Sequence, residues 1–322
     1  PGINDPNKLR YRVGLYFYVE CNTTVTETGW TFSFFDGRPP YNLVQDIPVT
    51  PGITTQISGC TLLSCYPCLS NVPARCYQIT NYETIVELDP NPNGYIVTKQ
   101  RCCRVNGISN IQPPSSNIGA TYTIKIPGTL DIPTGFQNSS PQFVFNDTVV
   151  VCGDSYFAMS FNATDPDADS LSFSFIDAYD GASSGAPNPS PASNPPYNNV
   201  PYALPFTGVQ PLGAGVTIDP ITGLISGIAP PAGIYVICVL VKEYRNGVFF
   251  AESRKELHLN VATCFPLSAV PDFVPITCDG FTVNFNQNST GNPNTFFWDF
   301  GDPLSGAANT SPLPNPIHTF SD

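Results

Sequence analysis

Short runs in which apolar and polar residues alternate recur along this chain, and proline and glycine interrupt them. The 322 residues include 35 prolines and 25 glycines, spread without a repeating period. Alternation places successive side chains on opposite faces of a strand, and β-branched and aromatic residues fill the runs. The pattern predicts an all-β chain of many short strands, which is typical of β-sandwiches. We expect strands at 11–19, 31–35, 84–88, 95–99, 121–126, 156–162, 171–176, 233–243, 257–261, 281–285 and 295–300.

Charged residues are scarce and mostly acidic. They make up 12% of the chain, and 13 lysines and arginines against 25 aspartates and glutamates give a formal net charge of −12. Nucleic acids and anionic membrane surfaces bind basic patches, so we expect neither as a partner. Apolar residues reach 41%, enough to fill hydrophobic cores. No apolar run reaches the roughly 18–20 residues of a membrane-spanning helix, so we expect no membrane insertion.

Eleven cysteines, in a chain poor in lysine, favour an oxidising compartment in which disulfides stabilise the fold. The simplest pairs are Cys152 with Cys238 and Cys264 with Cys278, and the other pairings stay open. Adjacent Cys102 and Cys103 would point to opposite faces of a strand, so we expect each to have a different partner. The remaining candidates for disulfides are Cys21, Cys60, Cys65, Cys68 and Cys76.

Two patterns in the chain also occur in enzymes and metal sites. Cys65-Tyr-Pro-Cys68 has the spacing of zinc knuckles and thiol oxidoreductases, but a zinc ribbon needs a second pair and a redox motif needs a following helix. Gly181-Ala-Ser-Ser-Gly185 matches the esterase pattern, yet it lies in a proline-rich loop without a strand–turn–helix context. We therefore expect no catalytic residue and no organic cofactor.

Three carboxylates alternate in Asp165-Pro-Asp-Ala-Asp169. In a tight turn, Asp165, Asp167 and Asp169 can converge on a hard cation, and Ca²⁺ is the natural choice outside the cell. Either Asp147 or Asp219 could complete such a site. The alternative is an aspartate-rich turn that stays solvated. The motif makes these residues the candidate Ca²⁺ ligands.

Composition and cysteine spacing divide the chain into three segments. A cysteine-rich β-sandwich is expected at 1–134, a second sandwich at 135–263, and a third domain at 264–322. The proline- and serine-rich stretch 180–205 is expected to be a long loop inside the second segment, either functional or mobile.

Two local motifs carry a resemblance to known domains. Residues 215–227, with Asp-Pro-Ile-Thr-Gly at their centre, resemble the hairpin of cadherin-like and bacterial Ig-like sandwiches. Phe296-Phe-Trp-Asp-Phe-Gly-Asp302, followed by His318-Thr-Phe-Ser-Asp322, resembles the first half of a polycystic-kidney-disease (PKD) domain. The resemblance implies tandem Ig-like or cadherin-like sandwiches with a partial PKD-like domain at the C-terminal end.

The order of further motifs extends the resemblance over most of the chain. Tyr16-Phe-Tyr-Val-Glu-Cys21, Arg101-Cys-Cys-Arg104 and Glu243-Tyr-Arg-Asn-Gly247 follow one another. This order resembles the N-terminal region of large PKD-containing surface proteins of Bacteroidota, including SprB-type gliding-motility adhesins exported by the type 9 secretion machinery. Val-Glu-Cys stands where that family more often has Arg-Asp-Cys.

The resemblance implies a non-catalytic adhesin or stalk on the cell surface, attached to the outer membrane and possessing a role in gliding motility. Its weakly charged, acidic surface suits a polysaccharide or another surface ligand, which we expect at Tyr179, Tyr197 and Tyr202. One alternative is an accessory binding region of a secreted hydrolase. Another is a structural subunit of an extracellular filament that forms by self-association.

Overall fold

The computed structural model describes residues 7–21, 29–59, 76–132, 137–143, 149–264, 268–273, 281–291 and 293–321. Nearly all regular structure in these ranges is β-strand, which confirms the predicted all-β class. The helices described are two short 3₁₀ segments, Ser115–Asn117 and Pro303–Asn309. Within the described ranges, no helix is long and apolar enough to cross a membrane. Among the described residues, those up to Ala262 form one compact unit, and those from Thr263 onward form a second.

The first part of the first unit is a sandwich of two antiparallel sheets. One sheet has the order β3-β2-β6-β7 and the other β1-β5-β4. The ring of Trp30 stacks on that of Tyr82, with centroids 4.1 Å apart, so apolar faces of both sheets meet in one core. The strands are β1 (Leu9–Glu20), β2 (Trp30–Asp36), β3 (Leu43–Val49), β4 (Pro51–Ser58), β5 (Cys76–Leu88), β6 (Tyr95–Arg101) and β7 (Ala120–Ile126).

The second part of the first unit is another set of packed sheets. The order β12-β15-β16-β9 forms one sheet, β10-β14-β13 another, and β11 pairs with β8. Phe161, Ile225 and Ile237 are among the fully buried residues between them. The strands are β8 (Gln142–Phe143), β9 (Val150–Cys152), β10 (Tyr156–Ser160), β11 (Ala163–Thr164), β12 (Ser170–Phe175), β13 (Val216–Ile218), β14 (Leu224–Ile228), β15 (Gly233–Arg245) and β16 (Val248–Ala262).

The hairpin expected from residues 215–227 is confirmed as the antiparallel pair β13–β14. Asp219 Oδ1 accepts hydrogen bonds from the backbone N–H of Ile221 at 2.9 Å and of Thr222 at 2.7 Å. Gly223 has a φ of 68°, a conformation that glycine adopts without steric cost. The side chain of the aspartate therefore closes the turn, and glycine lets the chain re-enter the sheet.

The two sandwiches share a third hydrophobic cluster. It combines Ile108 and Ile111, from the chain after β6, with Val236 and Cys238 of β15. Asn110 is fully buried between them, and its side chain exchanges two hydrogen bonds with the backbone of Val236, at 2.8 and 2.9 Å. The expected boundary at 134/135 thus falls inside one compact unit.

The loop between β12 and β13, residues 176–215, is named the strap because it lies along the sheet β3-β2-β6-β7. Ser33 Oγ accepts a hydrogen bond from the N–H of Ala192 at 2.9 Å. Gln100 and Ser193 exchange two hydrogen bonds, at 2.7 and 3.0 Å. Buried polar groups of the first sandwich therefore find their partners in the strap, which attaches it to the sheet.

The disulfide pattern corrects two predictions. Cys21 bonds Cys76, and Cys102 bonds Cys103. The expectation of separate partners for Cys102 and Cys103 was wrong because β6 ends at Arg101, so strand alternation does not apply to them.

The predicted Cys152–Cys238 bond was also wrong, since Cys238 is a free, buried thiol. Cys238 lies opposite Glu256 and Cys152 opposite Ala262, six positions further along β16, or about 20 Å at ~3.3 Å per residue. Cys152 and Cys264 are each disulfide-bonded. Outside the described residues lie Cys60, Cys65, Cys68 and Cys278.

The second unit contains two small sheets and a buried polar centre. The orders are β17-β18-β21 and β19-β20. Asp302 accepts a hydrogen bond from the N–H of Ser321 at 2.8 Å and lies 3.1 Å from His318 Nε2. Within its described residues no apolar side chain is fully buried, and Phe297 is 77% exposed. The strands are β17 (Pro271–Phe273), β18 (Thr282–Gln287), β19 (Trp298–Asp299), β20 (Thr310–Ser311) and β21 (Ile317–Thr319).

Candidate metal centre

The aspartate motif forms a closed turn between β11 and β12. Asp165 Oδ1 accepts hydrogen bonds from the N–H of Asp167 at 2.8 Å and of Asp169 at 3.1 Å. Ala168 has a φ of 63°, and its N–H bonds the carbonyl of Asp165 at 3.2 Å. One oxygen of Asp165 therefore holds the turn together, and the other is left for a different partner.

The turn brings two of the three predicted ligands beside a third carboxylate, that of Glu243. Asp165, Asp169 and Glu243 each offer an oxygen, and these oxygens lie within 4.8 Å of one another. Strand pairing explains the position, since β12 lies beside β15 with Leu171 opposite Glu243. Asp169 directly precedes β12 and so reaches the same end of the sheet.

Asp167, the third residue predicted as a ligand, is directed elsewhere. Its Oδ2 accepts a hydrogen bond from the N–H of Ser139 at 2.6 Å. Of the other residues considered, Asp219 closes the β13–β14 turn, and Asp147 lies outside the described residues. The alternation of the motif therefore identifies the right turn but not the complete set of converging oxygens.

Glu243 is the member of this cluster that sequence reasoning missed. It is 1% exposed. Burial, more than the neighbouring aspartates, raises its pKa to about 7, whereas a hydrogen bond from Asn138 Nδ2 at 2.9 Å lowers it. A carboxylate in the long apolar run of β15 was the available signal, because unpaired glutamate is rarely buried in a strand.

The cluster has features that fit a hard cation. Asp165 Oδ2 is a buried oxygen without a hydrogen-bond partner. Together with the buried carboxylate of Glu243, it concentrates negative charge where desolvation makes that charge costly. Oxygen ligands at this spacing suit Ca²⁺, which would bind between Asp165, Asp169 and Glu243.

Arg245 supplies the competing explanation for the cluster. Its Nε lies 2.7 Å from Asp169 Oδ1 and its Nη2 2.5 Å from Asp169 Oδ2, a two-point ion pair. The same guanidinium donates to the carbonyl of Gln137 at 3.2 Å. In this second interpretation the charge of Arg245 neutralises that of Asp169, and the ion pair serves only to attach the turn to β15. The two alternatives differ in whether a cation also binds Asp165 Oδ2 and Glu243, whose hydrogen bond from Asn138 is present in either case.

The three tyrosines predicted to bind a ligand are half-buried and lie in the strap. The rings of Tyr179 and Tyr197 lie 5.4 Å apart, and the Arg254 guanidinium lies 4.3 Å from the Tyr179 ring centre. Burial raises the pKa of Tyr197 to about 12, and its hydroxyl contacts Thr98 Oγ1. The Tyr202 hydroxyl accepts a hydrogen bond from the N–H of Ala178 at 3.0 Å. These contacts attach the strap, and a ligand-binding role stays a prediction.

No protein-family model matches this sequence, and no curated protein matches it either. The similarity to PKD-containing surface proteins therefore rests on the motifs described above.

Proposed function

We propose that this chain is a non-catalytic extracellular module of a cell-surface adhesin, serving as part of its stalk or tip. The supporting observation is that the two sandwiches share one buried cluster, around Asn110 and Val236. A stalk transmits force, so it must not bend where its domains meet. A continuous core with buried hydrogen bonds between the sandwiches meets that need better than a flexible linker does.

Disulfides and surface chemistry agree with this proposal. The Cys21–Cys76 bond closes a long loop of the first sandwich, which restricts the unfolded chain. The net charge of −12 suits an uncharged surface ligand such as a polysaccharide. Outer-membrane attachment, type 9 export and a role in gliding are further parts of the proposal and rest on the motif resemblance.

Adhesion can be measured directly. Beads coated with the purified chain should stay attached to a polysaccharide-coated surface under flow, whereas albumin-coated beads should wash off. Tyr179→Ala should reduce retention, and Tyr156→Ala, at a 69% exposed position on β10, is a control for loss of a tyrosine outside the strap. Equal washout of protein-coated and albumin-coated beads would contradict the adhesive function.

Calcium binding at Asp165, Asp169 and Glu243 is proposed as a stiffening element of this module. The buried, unpartnered Oδ2 of Asp165 supports it. A cation there would tie the β11–β12 turn to the central strand β15 at the end of the sheet. The metal would thus make the module more rigid and would take part in no reaction.

A filament subunit is the second candidate function, favoured by one surface of the second unit. A groove of about 640 Å³ is lined there by Phe273, Phe285, Phe297 and Trp298, among others. Exposed aromatic surface of this kind commonly marks a site of association. Sedimentation at rising concentration should show oligomers if copies pair through it, and Phe297→Asp should abolish them. A concentration-independent monomer would contradict self-association.

A further inference from the structure

The Cys102–Cys103 disulfide joins neighbouring residues and closes no loop of intervening chain. The stabilisation that a disulfide gives by restricting the unfolded chain grows with the length of the loop it closes. Cys21 and Cys76, which are 55 positions apart, gain from that effect, whereas Cys102 and Cys103 do not. The Cys102–Cys103 bond therefore contributes little to the stability of the unit, and opening it should leave the fold intact.

The two cysteines differ sharply in their surroundings. Cys102 is 2% exposed, and its N–H donates to the carbonyl of Pro187 in the strap at 2.8 Å. The Arg101 guanidinium contacts the Cys102 carbonyl and lies 3.4 Å from that of Pro187. Cys103, by contrast, is exposed. An attacking group from solvent can therefore approach Cys103 and not Cys102.

We propose that Cys103 is a reversible thiol-exchange site for low-molecular-weight thiols. The incoming thiolate attacks the Cys103 sulfur and forms a new sulfur–sulfur bond with it. The Cys102–Cys103 bond breaks, and its electron pair leaves on Cys102 as a thiolate, which takes up the proton lost by the incoming thiol. One disulfide replaces another, so no oxidant or reductant is consumed.

The surroundings of Cys102 favour both directions of this exchange. Arginine near a cysteine stabilises its thiolate, and a more stable thiolate is a better leaving group. The Arg101 guanidinium contacts the carbonyl oxygen of Cys102, which places its positive charge within one residue's length of the leaving sulfur. The hydrogen bond to Pro187 keeps Cys102 in place, so its thiolate can attack the mixed disulfide and expel the thiol again.

The site is tested on the native chain with reduced glutathione as the probe. Samples are quenched at intervals with N-ethylmaleimide, digested and mapped by mass spectrometry. We expect glutathione on Cys103 and maleimide on Cys102, formed at least about tenfold faster than any modification of the half-buried pair Cys21–Cys76. Equal rates at both disulfides, glutathione on Cys102, or modification only after denaturation would each overturn the proposal.

Two variants and one control separate the exchange chemistry from a structural effect. Arg101→Gln should slow the modification of Cys103 several-fold, while Arg38→Gln, at an exposed position after β2, should not. An unchanged rate in Arg101→Gln would overturn the proposed role of Arg101 in releasing the Cys102 thiolate. Replacing both cysteines by serine should abolish glutathione uptake and leave the melting temperature nearly unchanged. A large loss of stability would show that the Cys102–Cys103 bond is structural. If the double-serine variant does not fold, the mass-spectrometric map of modified cysteines in the wild-type protein still tests the proposal.

Discussion

Arg104 and Glu256 form a buried two-point ion pair that joins the two sandwiches of the first unit. Arg104 Nη2 donates to Glu256 Oε2 at 2.9 Å, and Nη1 contacts Oε1. Their side chains are 3% and 11% exposed. Burial would lower the pKa of Arg104, but the charge and hydrogen bonds of Glu256, together with nearby Tyr122 and Tyr202, raise it overall, so the guanidinium stays charged. The same guanidinium donates to the carbonyl of Tyr179 in the strap at 3.1 Å.

Glu256→Ala should destabilise the first unit by about 3–5 kcal/mol, because it leaves the Arg104 charge buried without its counter-ion. Urea denaturation followed by circular dichroism measures the loss. The matched control is Glu83→Ala, which breaks an exposed pair with Arg12 at 3.6 Å and should cost about 0–1 kcal/mol. Similar losses in the two variants would show that the buried pair does not hold the sandwiches together.

Gly119→Ala should detach the strap from the sheet. A methyl group there would overlap the carbonyl oxygen of Gly181, so one of the two backbones must move. We expect a loss of about 1–3 kcal/mol and faster amide hydrogen exchange in residues 176–215. Gly185→Ala is the control, since its methyl group would meet no atom within 4 Å. Unchanged exchange in Gly119→Ala would contradict the tight backbone approach.

Calcium at about 10 mM should raise the melting temperature of the first unit by several degrees relative to chelator. Extracellular sites of this type bind at about 10⁻⁴–10⁻³ M, which corresponds to roughly 1–3 kcal/mol at that concentration. Glu243→Gln should remove the shift because it removes a buried ligand charge. Glu252→Gln, in the neighbouring strand opposite Lys242, should keep it. Equal melting temperatures with calcium and with chelator would contradict the calcium site and favour the purely structural ion pair between Arg245 and Asp169.

Acid should destabilise the first unit through His258 of β16. Burial lowers the pKa of His258 from 6.5 to about 4, so the unfolded chain binds the proton more tightly than the folded one. The stability contributed by the neutral ring is present above pH 6.5 and is lost as the pH falls towards 4. The loss is at most about 3 kcal/mol, an upper bound because the ring is only half-buried.

Denaturation of the wild type and His258→Gln at several pH values between 7 and 4 checks this dependence. Both proteins share every other titrating group, so the difference between their pH profiles isolates the histidine. We expect a shallower decline in His258→Gln. Parallel profiles would mean that the ring is protonated in the folded state as readily as in the unfolded state.

The sequence by itself determined the class of secondary structure and several turns. Alternation placed a strand at 233–243, and the structure has Gly233–Arg245 there. Asp-Pro and Thr-Gly located the β13–β14 hairpin, because the side chain of Asp219 and the backbone freedom of Gly223 act within a few residues. Leu43–Val49 and Pro51–Ser58 were missed, since they contain prolines and little alternation, and the exposed β4 lies at a sheet edge.

Only the tertiary structure decided which distant residues meet. Glu243 joins Asp165 and Asp169 through the register of β12 and β15, and Arg104 reaches Glu256 across 152 positions. The strap covers the first sandwich although it belongs in sequence to the second. Cys238 stays free because strand pairing holds it far from Cys152. Periodicity and turn chemistry act between near neighbours in the chain, whereas these contacts depend on how whole sheets pack, and no local pattern encodes that.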